Sequence, residues 1–346
     1  MPAYVSRPRT VFGDHKVTTA EIADDIRAHH PDHPRLGAIL RVVGNCGVHT
    51  RYFTRPVDSP AVAGRAGITE RAETAFRDAV DMAERAAHAA LDTAGLTADD
   101  IDAIVTAHVT GWAVPNLDVH LVARLGLRPT VRRIALTTLA CAGGAQALLR
   151  AADLISARPG SKVLVVAAEV ISTVYNHADT TIESMIYKAL FGDAAAATVL
   201  TGEPSASGMA IDDSFEYVLP DSLDRYQGRI ATDGFHFDST KKALTAADDV
   251  LPAVTDWHGP QKPDFAVIHP GSPRIISDTA AALSLTPHDI RHSTDTLADE
   301  GNLGGVSVLR ILERTHAAPP DDGARGVVVA FGPGFATAAL RCHWHA

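Results

Sequence analysis

Cys141, His269 and Asn302 stand far apart in the chain, yet each sits in a loop of small residues beside an apolar run. Cys141 lies in Leu139-Ala140-Cys141-Ala142-Gly143-Gly144, between the strand-like Ile134-Ala135-Leu136 and a helical pattern from Ala145 to about Ser156. His269 follows Phe265-Ala266-Val267-Ile268 and precedes Pro270-Gly271, and Asn302 is set between Gly301 and Gly304, ahead of a helical run that begins at Val306. A thiol at a helix N-terminus feels the positive end of the dipole, and a neighbouring imidazolium lowers its pKa further, so a thiolate nucleophile is expected at neutral pH. Histidine and asparagine can donate hydrogen bonds to an oxyanion developing on a carbonyl. The three side chains together suit acyl transfer through a thiol.

The 346 residues are 46% hydrophobic, enough for a large core in one domain or two halves. The sequence has no run of eighteen apolar residues and no apolar stretch at its N-terminus, so neither a membrane segment nor a signal peptide is expected, and a cytoplasmic location follows. Cys46, Cys141 and Cys342 are too few and too scattered for a disulfide framework or a zinc motif. A formal net charge of −10 argues against nucleic acid as a partner. Within that acidic chain, His33 to Val57 contains no Asp or Glu but carries Arg35, Arg41, Arg51 and Arg55. Such a window suits a small polyphosphate ligand gripped by guanidinium groups, or else a solvated basic turn. His29, His30 and His33 offer metal-ligand chemistry, but the prolines between them break any regular spacing and predict a solvated loop. The tail Cys342-His343-Trp344-His345 reads as a frayed terminus. No metal site is expected.

Helical periodicity runs from Thr18 to about His29, capped by Thr18 or Thr19, and again from Glu70 to Ala94, where Gly95 stops it. Beyond Ile101 the chain echoes itself. The apolar strand ending at His108 recurs at His269, the Cys141 loop and helix recur at Asn302, and Val163-Leu164-Val165-Val166 recurs at Val327-Val328-Val329, all at offsets of about 161 to 164 residues. The echo predicts an α/β protein of two duplicated βα halves, residues 1–205 carrying the cysteine and 206–346 carrying the histidine and asparagine. Corresponding loops of such halves converge at their interface, a common place for a ligand site.

At these positions the chain resembles the type III polyketide synthases, the chalcone-synthase-like branch of the thiolase superfamily, and among them the bacterial members. The resemblance rests on Cys141-Ala142-Gly143-Gly144, Leu190-Phe191-Gly192-Asp193, His269-Pro270-Gly271, Gly301-Asn302 and Phe331-Gly332-Pro333-Gly334, in the family's order from about Arg41 onward. It implies a thiolase fold in a five-layered αβαβα arrangement and a homodimer. It also implies that Cys141 carries the acyl chain while His269 and Asn302 assist it and drive decarboxylation of malonyl-CoA. The substrates would be malonyl-CoA and an acyl-CoA starter, extended by Claisen condensation and cyclised to a phenol or pyrone, with no metal or redox cofactor. Phe191 and Phe237 match the aromatic pair between CoA tunnel and cavity, Arg41 matches a basic residue of the CoA entrance, and Gly332, Pro333 and Gly334 match the cavity floor.

The departures fall around the pocket. Ala38 and Asn45 stand where further basic residues are common, which leaves Arg51 or Arg55 to compensate. Val114 takes the place of a Met that reaches across the dimer in plant members. Gly304 replaces a usual Ser and hints at room for a longer acyl chain, and Ala140 precedes the cysteine where Gly is frequent. The alternatives are a condensing enzyme of the ketoacyl-carrier-protein synthase III kind, a papain-like hydrolase and a non-catalytic thiolase-fold partner subunit. His269-Pro270-Gly271 argues against the first, since His-Gln-Ala-Asn would be expected there. The hydrolase lacks its Trp after the cysteine, and a binding-only subunit has no need of a reactive thiol.

Overall fold

A strand that is apolar on both faces requires a layer on each side, and Val163–Glu169 sets the pattern for the molecule. Val163, Val165 and Ala167 point into one core, while Leu164, Val166 and Ala168 point into another. The computed structural model describes residues 2–204 and 207–346. Its main sheet follows one hydrogen-bonded path, in the order Phe265–Ile268, Arg325–Phe331, Ala336–His345, Gly208–Val218, Ala3–Val5, Ala194–Thr201, Val163–Glu169, Ala103–His108 and Arg132–Thr137. The boundary expected between residues 205 and 206 lies outside the described residues.

The expected duplication is present in three paired strands of each half. Ala103–His108 runs parallel to Val163–Glu169, which pairs antiparallel with Ala194–Thr201. In the second half Phe265–Ile268 runs parallel to Arg325–Phe331, which pairs antiparallel with Ala336–His345. The helices Gly143–Ala157 and Val306–Ala317 fill the space between the halves, sharing one core with the inner faces of both sets of strands. The helices Ile68–Ala94 and Leu117–Leu125 cover the outer face of the first half, and Ala246–His258 covers that of the second. Helix, sheet, helix, sheet, helix is the five-layered arrangement of the thiolase fold.

Local signals fixed the helix ends. Thr18 accepts from the Glu21 amide while the Glu21 carboxylate accepts from Thr18, closing a capping box on Thr19–His29. Gly95 ends Ile68–Ala94 in the left-handed conformation (φ 65°), which a glycine adopts without a Cβ clash. The two halves differ beyond these strands. Arg132–Thr137 has no counterpart strand in the second half, where the helix Arg291–Glu300 leads to Asn302 instead.

Candidate active site

The two central helices meet at their N-termini, and glycines let them do so. A Cβ on Gly144 would lie 2.1 Å from the carbonyl oxygen of Gly305, and one on Gly305 would lie 3.0 Å from that of Ala140. The crossing brings the starts of Gly143–Ala157 and Val306–Ala317 together, and with them Cys141 and Asn302. Cys141 sits in a short 3-10 turn, Ala140–Ala142, that continues into its helix. Ala140 has φ 45°, a left-handed conformation that explains why glycine suits this position better.

Asn302 is held from two sides. Its N–H donates to Leu190 O at 2.8 Å and its carbonyl accepts from Gly192 N at 3.1 Å, a bridge across Phe191. Its side-chain Oδ1 accepts from Gly304 N at 2.9 Å, which turns Nδ2 toward Cys141 Sγ, 3.9 Å away. The 190–193 segment that clamps it is pinned by Asp193, whose carboxylate accepts from Ser172 N (2.7 Å), Ser172 Oγ (2.6 Å) and Thr54 N (2.8 Å). His269 follows Phe265–Ile268, its N–H donating to Val329 O at 2.8 Å, with both ring nitrogens buried and unpartnered. Gly332, at the end of the neighbouring strand, packs against the Cys141 loop, since a Cβ there would meet Leu139 O at 2.8 Å and Ala142 Cβ at 3.0 Å. Gly334 takes φ 65° and its carbonyl accepts from Ser222 Oγ.

Burial opposes the thiolate–imidazolium pair expected from the sequence. Enclosure pushes the Cys141 thiol up to about 12, with the Asn302 hydrogen bond opposing, and pushes His269 down to about 3. Both shifts favour a neutral thiol and a neutral imidazole in the resting site.

The arginines are also corrected. Arg51 is fully buried, its guanidinium donating to Thr19 Oγ1 (2.8 Å) and the Ala189 carbonyl, and burial lowers it to about 10. Arg55 makes a two-pronged pair with Asp78 at 2.9 and 2.6 Å. Neither can take the place of the missing entrance cations, whereas Arg41 is exposed on the helix Leu36–Gly44. Phe191 and Phe237 do meet, with ring centroids 5.7 Å apart, in a cluster that includes Ala140 and Ile171. The space expected beside Gly304 is filled: a Cβ there would come 2.9 Å from Ile171 Cδ1 and 3.3 Å from Glu169 Cγ, and its φ is 58°. Val114 is 88% exposed and Trp112 78%, on the rim of an open cavity of about 860 Å³ that reaches Val109, Thr138 and Phe235.

Three side chains near the thiol had escaped the sequence. Glu169 is buried at the end of an otherwise apolar strand, accepts from Val109 N at 3.3 Å, and is pushed up to about 8 by burial. An acidic residue closing a strand apolar on both faces was the available signal. Tyr187 and Tyr226 join the Phe191–Phe237 cluster, with Tyr226 stacked on Phe237 at 5.3 Å, and nothing local distinguished them.

Comparison with known proteins decides among the condensing enzymes that this geometry allows. The profile for chalcone and stilbene synthases matches in both parts, the N-terminal domain over residues 45–204 and the C-terminal domain over 211–343. The chain belongs to the chalcone and stilbene synthase family. These type III polyketide synthases include the 1,3,6,8-tetrahydroxynaphthalene synthase of Streptomyces coelicolor, 33% identical over 98% of this chain and 92% of that protein. Phloroglucinol synthase of Pseudomonas fluorescens is 31% identical over 98% of each. Among solved structures, the germicidin synthase of Streptomyces coelicolor superposes with a TM-score of 0.93 at 31% identity, covering 99% of this chain and all of that one. Membership makes this chain an acyltransferase of the polyketide-synthase type that extends with malonyl-CoA. No helix among the described residues is long and apolar enough to cross a membrane.

Proposed function

We propose that Cys141 is the acyl carrier, with His269 and Asn302 as its partners. Neutral His269 takes the proton as Sγ attacks the starter thioester, the acyl group moves to sulfur and CoA thiol leaves with a proton. Malonyl-CoA then loses carbon dioxide, and the enolate oxygen is held by His269 N–H and Asn302 Nδ2–H. The enolate carbon attacks the acyl-Cys carbonyl, forming the carbon–carbon bond and releasing the sulfur. Repetition and ring closure yield a phenolic or pyrone product. The observation that carries this reading is the side-chain amide of Asn302 turned to within 3.9 Å of Cys141 Sγ by its own hydrogen bond to Gly304 N.

Thiol, imidazole and amide supply the groups this sequence of steps needs, so the reaction calls for no metal or redox cofactor. Phe191, Phe237 and the Gly332-Pro333-Gly334 turn form the walls, Arg41 receives CoA phosphate, and Val114 shapes the cavity edge. The active form is a homodimer acting in the cytoplasm, where CoA thioesters are made. Purified protein incubated with malonyl-CoA, alone and with aliphatic and aromatic acyl-CoA starters, should give a polyketide mass by mass spectrometry that disappears in Cys141→Ala. A product that persists in that variant would overturn the assignment.

A further inference from the structure

Of the three histidines in His29-His30-Pro31-Asp32-His33, only His29 keeps company suited to a metal ion. His30 turns inward and is buried, and His33 Nε2 lies 3.1 Å from the Thr180 carbonyl. His29 and Asp25 are one turn apart on the helix Thr19–His29, where residues four apart share a face. The fold lays His177 across that face from a segment some 150 residues away. His177 Nε2 is 2.9 Å from Asp25 Oδ2, and His29 Nδ1 is 3.2 Å from Asp25 Oδ1. The three donor atoms all fall within 4.8 Å of one another.

Ligands about 2.1 Å from a tetrahedral ion stand about 3.4 Å apart, so the two imidazole contacts to Asp25 are close to those of a formed site. Two imidazoles and a carboxylate are a borderline donor set that suits Zn(II) and its neighbours. Tyr175 donates its hydroxyl to the same carboxylate, the kind of outer contact that fixes a ligating oxygen. We propose that Asp25, His29 and His177 bind a zinc-class divalent cation. The imidazole planes are stacked, 3.6 Å apart at 15°, and stacked rings cannot both aim a lone pair at one ion. Binding therefore turns one ring, and His29, with 42% of its side chain exposed, has the freedom to do so. The ion replaces the proton between His177 and Asp25.

The site is structural. The segment that carries His177 is also held by Arg71, which donates to the Tyr175 carbonyl at 2.9 Å, and by Asn176 Nδ2 to Asp233 at 3.3 Å, next to the hairpin that bears Phe237. A cation at this point ties the helix Thr19–His29 to a wall of the Phe191–Phe237 cluster.

The test is metal titration of the full chain after chelator treatment, with Co(II) as spectroscopic probe and Zn(II) for stability. We expect one Co(II) per chain with the visible bands of a four- or five-coordinate nitrogen and oxygen site, and affinity at least about tenfold weaker in His29→Gln and in His177→Gln. Zn(II) at a hundredfold over its Kd should raise the wild-type melting temperature by about 4 °C and leave both variants unmoved. Both variants should melt like wild type without metal, which separates lost binding from lost folding. Absence of stoichiometric Co(II) uptake, or uptake unchanged in both variants, would overturn the proposal. So would a sulfur-to-cobalt charge-transfer band, which would put the ion on a cysteine.

Discussion

After burial and the Asn302 hydrogen bond, the charge state of Glu169 bears on the nucleophile. Its carboxyl is buried beside Cys141, where an ionised form would oppose the thiolate, and burial raises it from the ordinary range to about 8. In the unfolded chain it ionises near 4.5, so between 4.5 and 8 the folded protein holds a proton that the unfolded chain has lost. The stability contributed by that proton is complete below about 4.5 and is lost as pH rises through 8. The other large shifts act elsewhere: His269, lowered to about 3, withdraws stability only below 6.5, Asp193, raised to about 6, does so between 3.8 and 6, and Lys188, lowered to about 8, adds stability only above that. The buried histidines and Lys188 still titrate at the edges of pH 6.5 to 8, but they do so equally in Glu169→Gln, so the difference between the two proteins isolates Glu169. The melting temperature of the wild type should fall relative to that of Glu169→Gln as pH rises across this interval. Parallel curves would mean that the carboxyl is ionised at neutral pH.

The elements that position the site depend on the closeness of two helix starts, and this is open to a direct test. Gly144→Ala would force a Cβ to within 2.1 Å of the Gly305 carbonyl, a backbone atom that cannot swing aside. Overpacking of this kind costs about 1–3 kcal/mol, read as a lower urea midpoint. Gly160→Ala, in open space, should change stability by no more than about 0.5 kcal/mol. Equal effects would show that the crossing yields. The same two helices show why much was legible beforehand: Cys141 and Asn302 each stand in a loop of small residues that opens a helix, and strands buried on both faces, such as Val163–Glu169 and Arg325–Phe331, leave a repeat in the order of apolar residues. Arg51 and Arg55 were illegible because their partners, the Ala189 carbonyl and Asp78, are 138 and 23 residues away. Gly304 read as empty space because a sequence shows the missing Cβ, not the Ile171 methyl that would meet it. The neutral thiol and imidazole depend on enclosure, which belongs to the folded molecule alone.

At the scale of the whole molecule, the two ends of the main sheet are finished differently. At one end, Phe265–Ile268 is capped: Ile268 N donates to Ser293 Oγ at 3.0 Å and Ala266 N to Asp289 O at 3.1 Å. At the other, Arg132–Thr137 bonds only to Ala103–His108, and among the described residues no other element caps its outer edge. An open edge is a template for another strand, and closed two-fold pairing is the commonest way a chain covers its own. Trp112 and Val114 are exposed on the rim of the 860 Å³ cavity that Thr137 and Thr138 also line, so apolar surface and open edge share one face. The proposed homodimer would seat its second copy on this face, completing the cavity wall. Val114→Asp distinguishes the possibilities, because a charge at a position 88% exposed is harmless in a monomer but costly once desolvated in an interface. Light scattering at micromolar concentration should give twice the chain mass for the wild type and the single-chain mass for Val114→Asp, with circular dichroism unchanged. A monomeric wild type would remove the dimer from the proposal, and a variant that stays dimeric would move the interface away from this face.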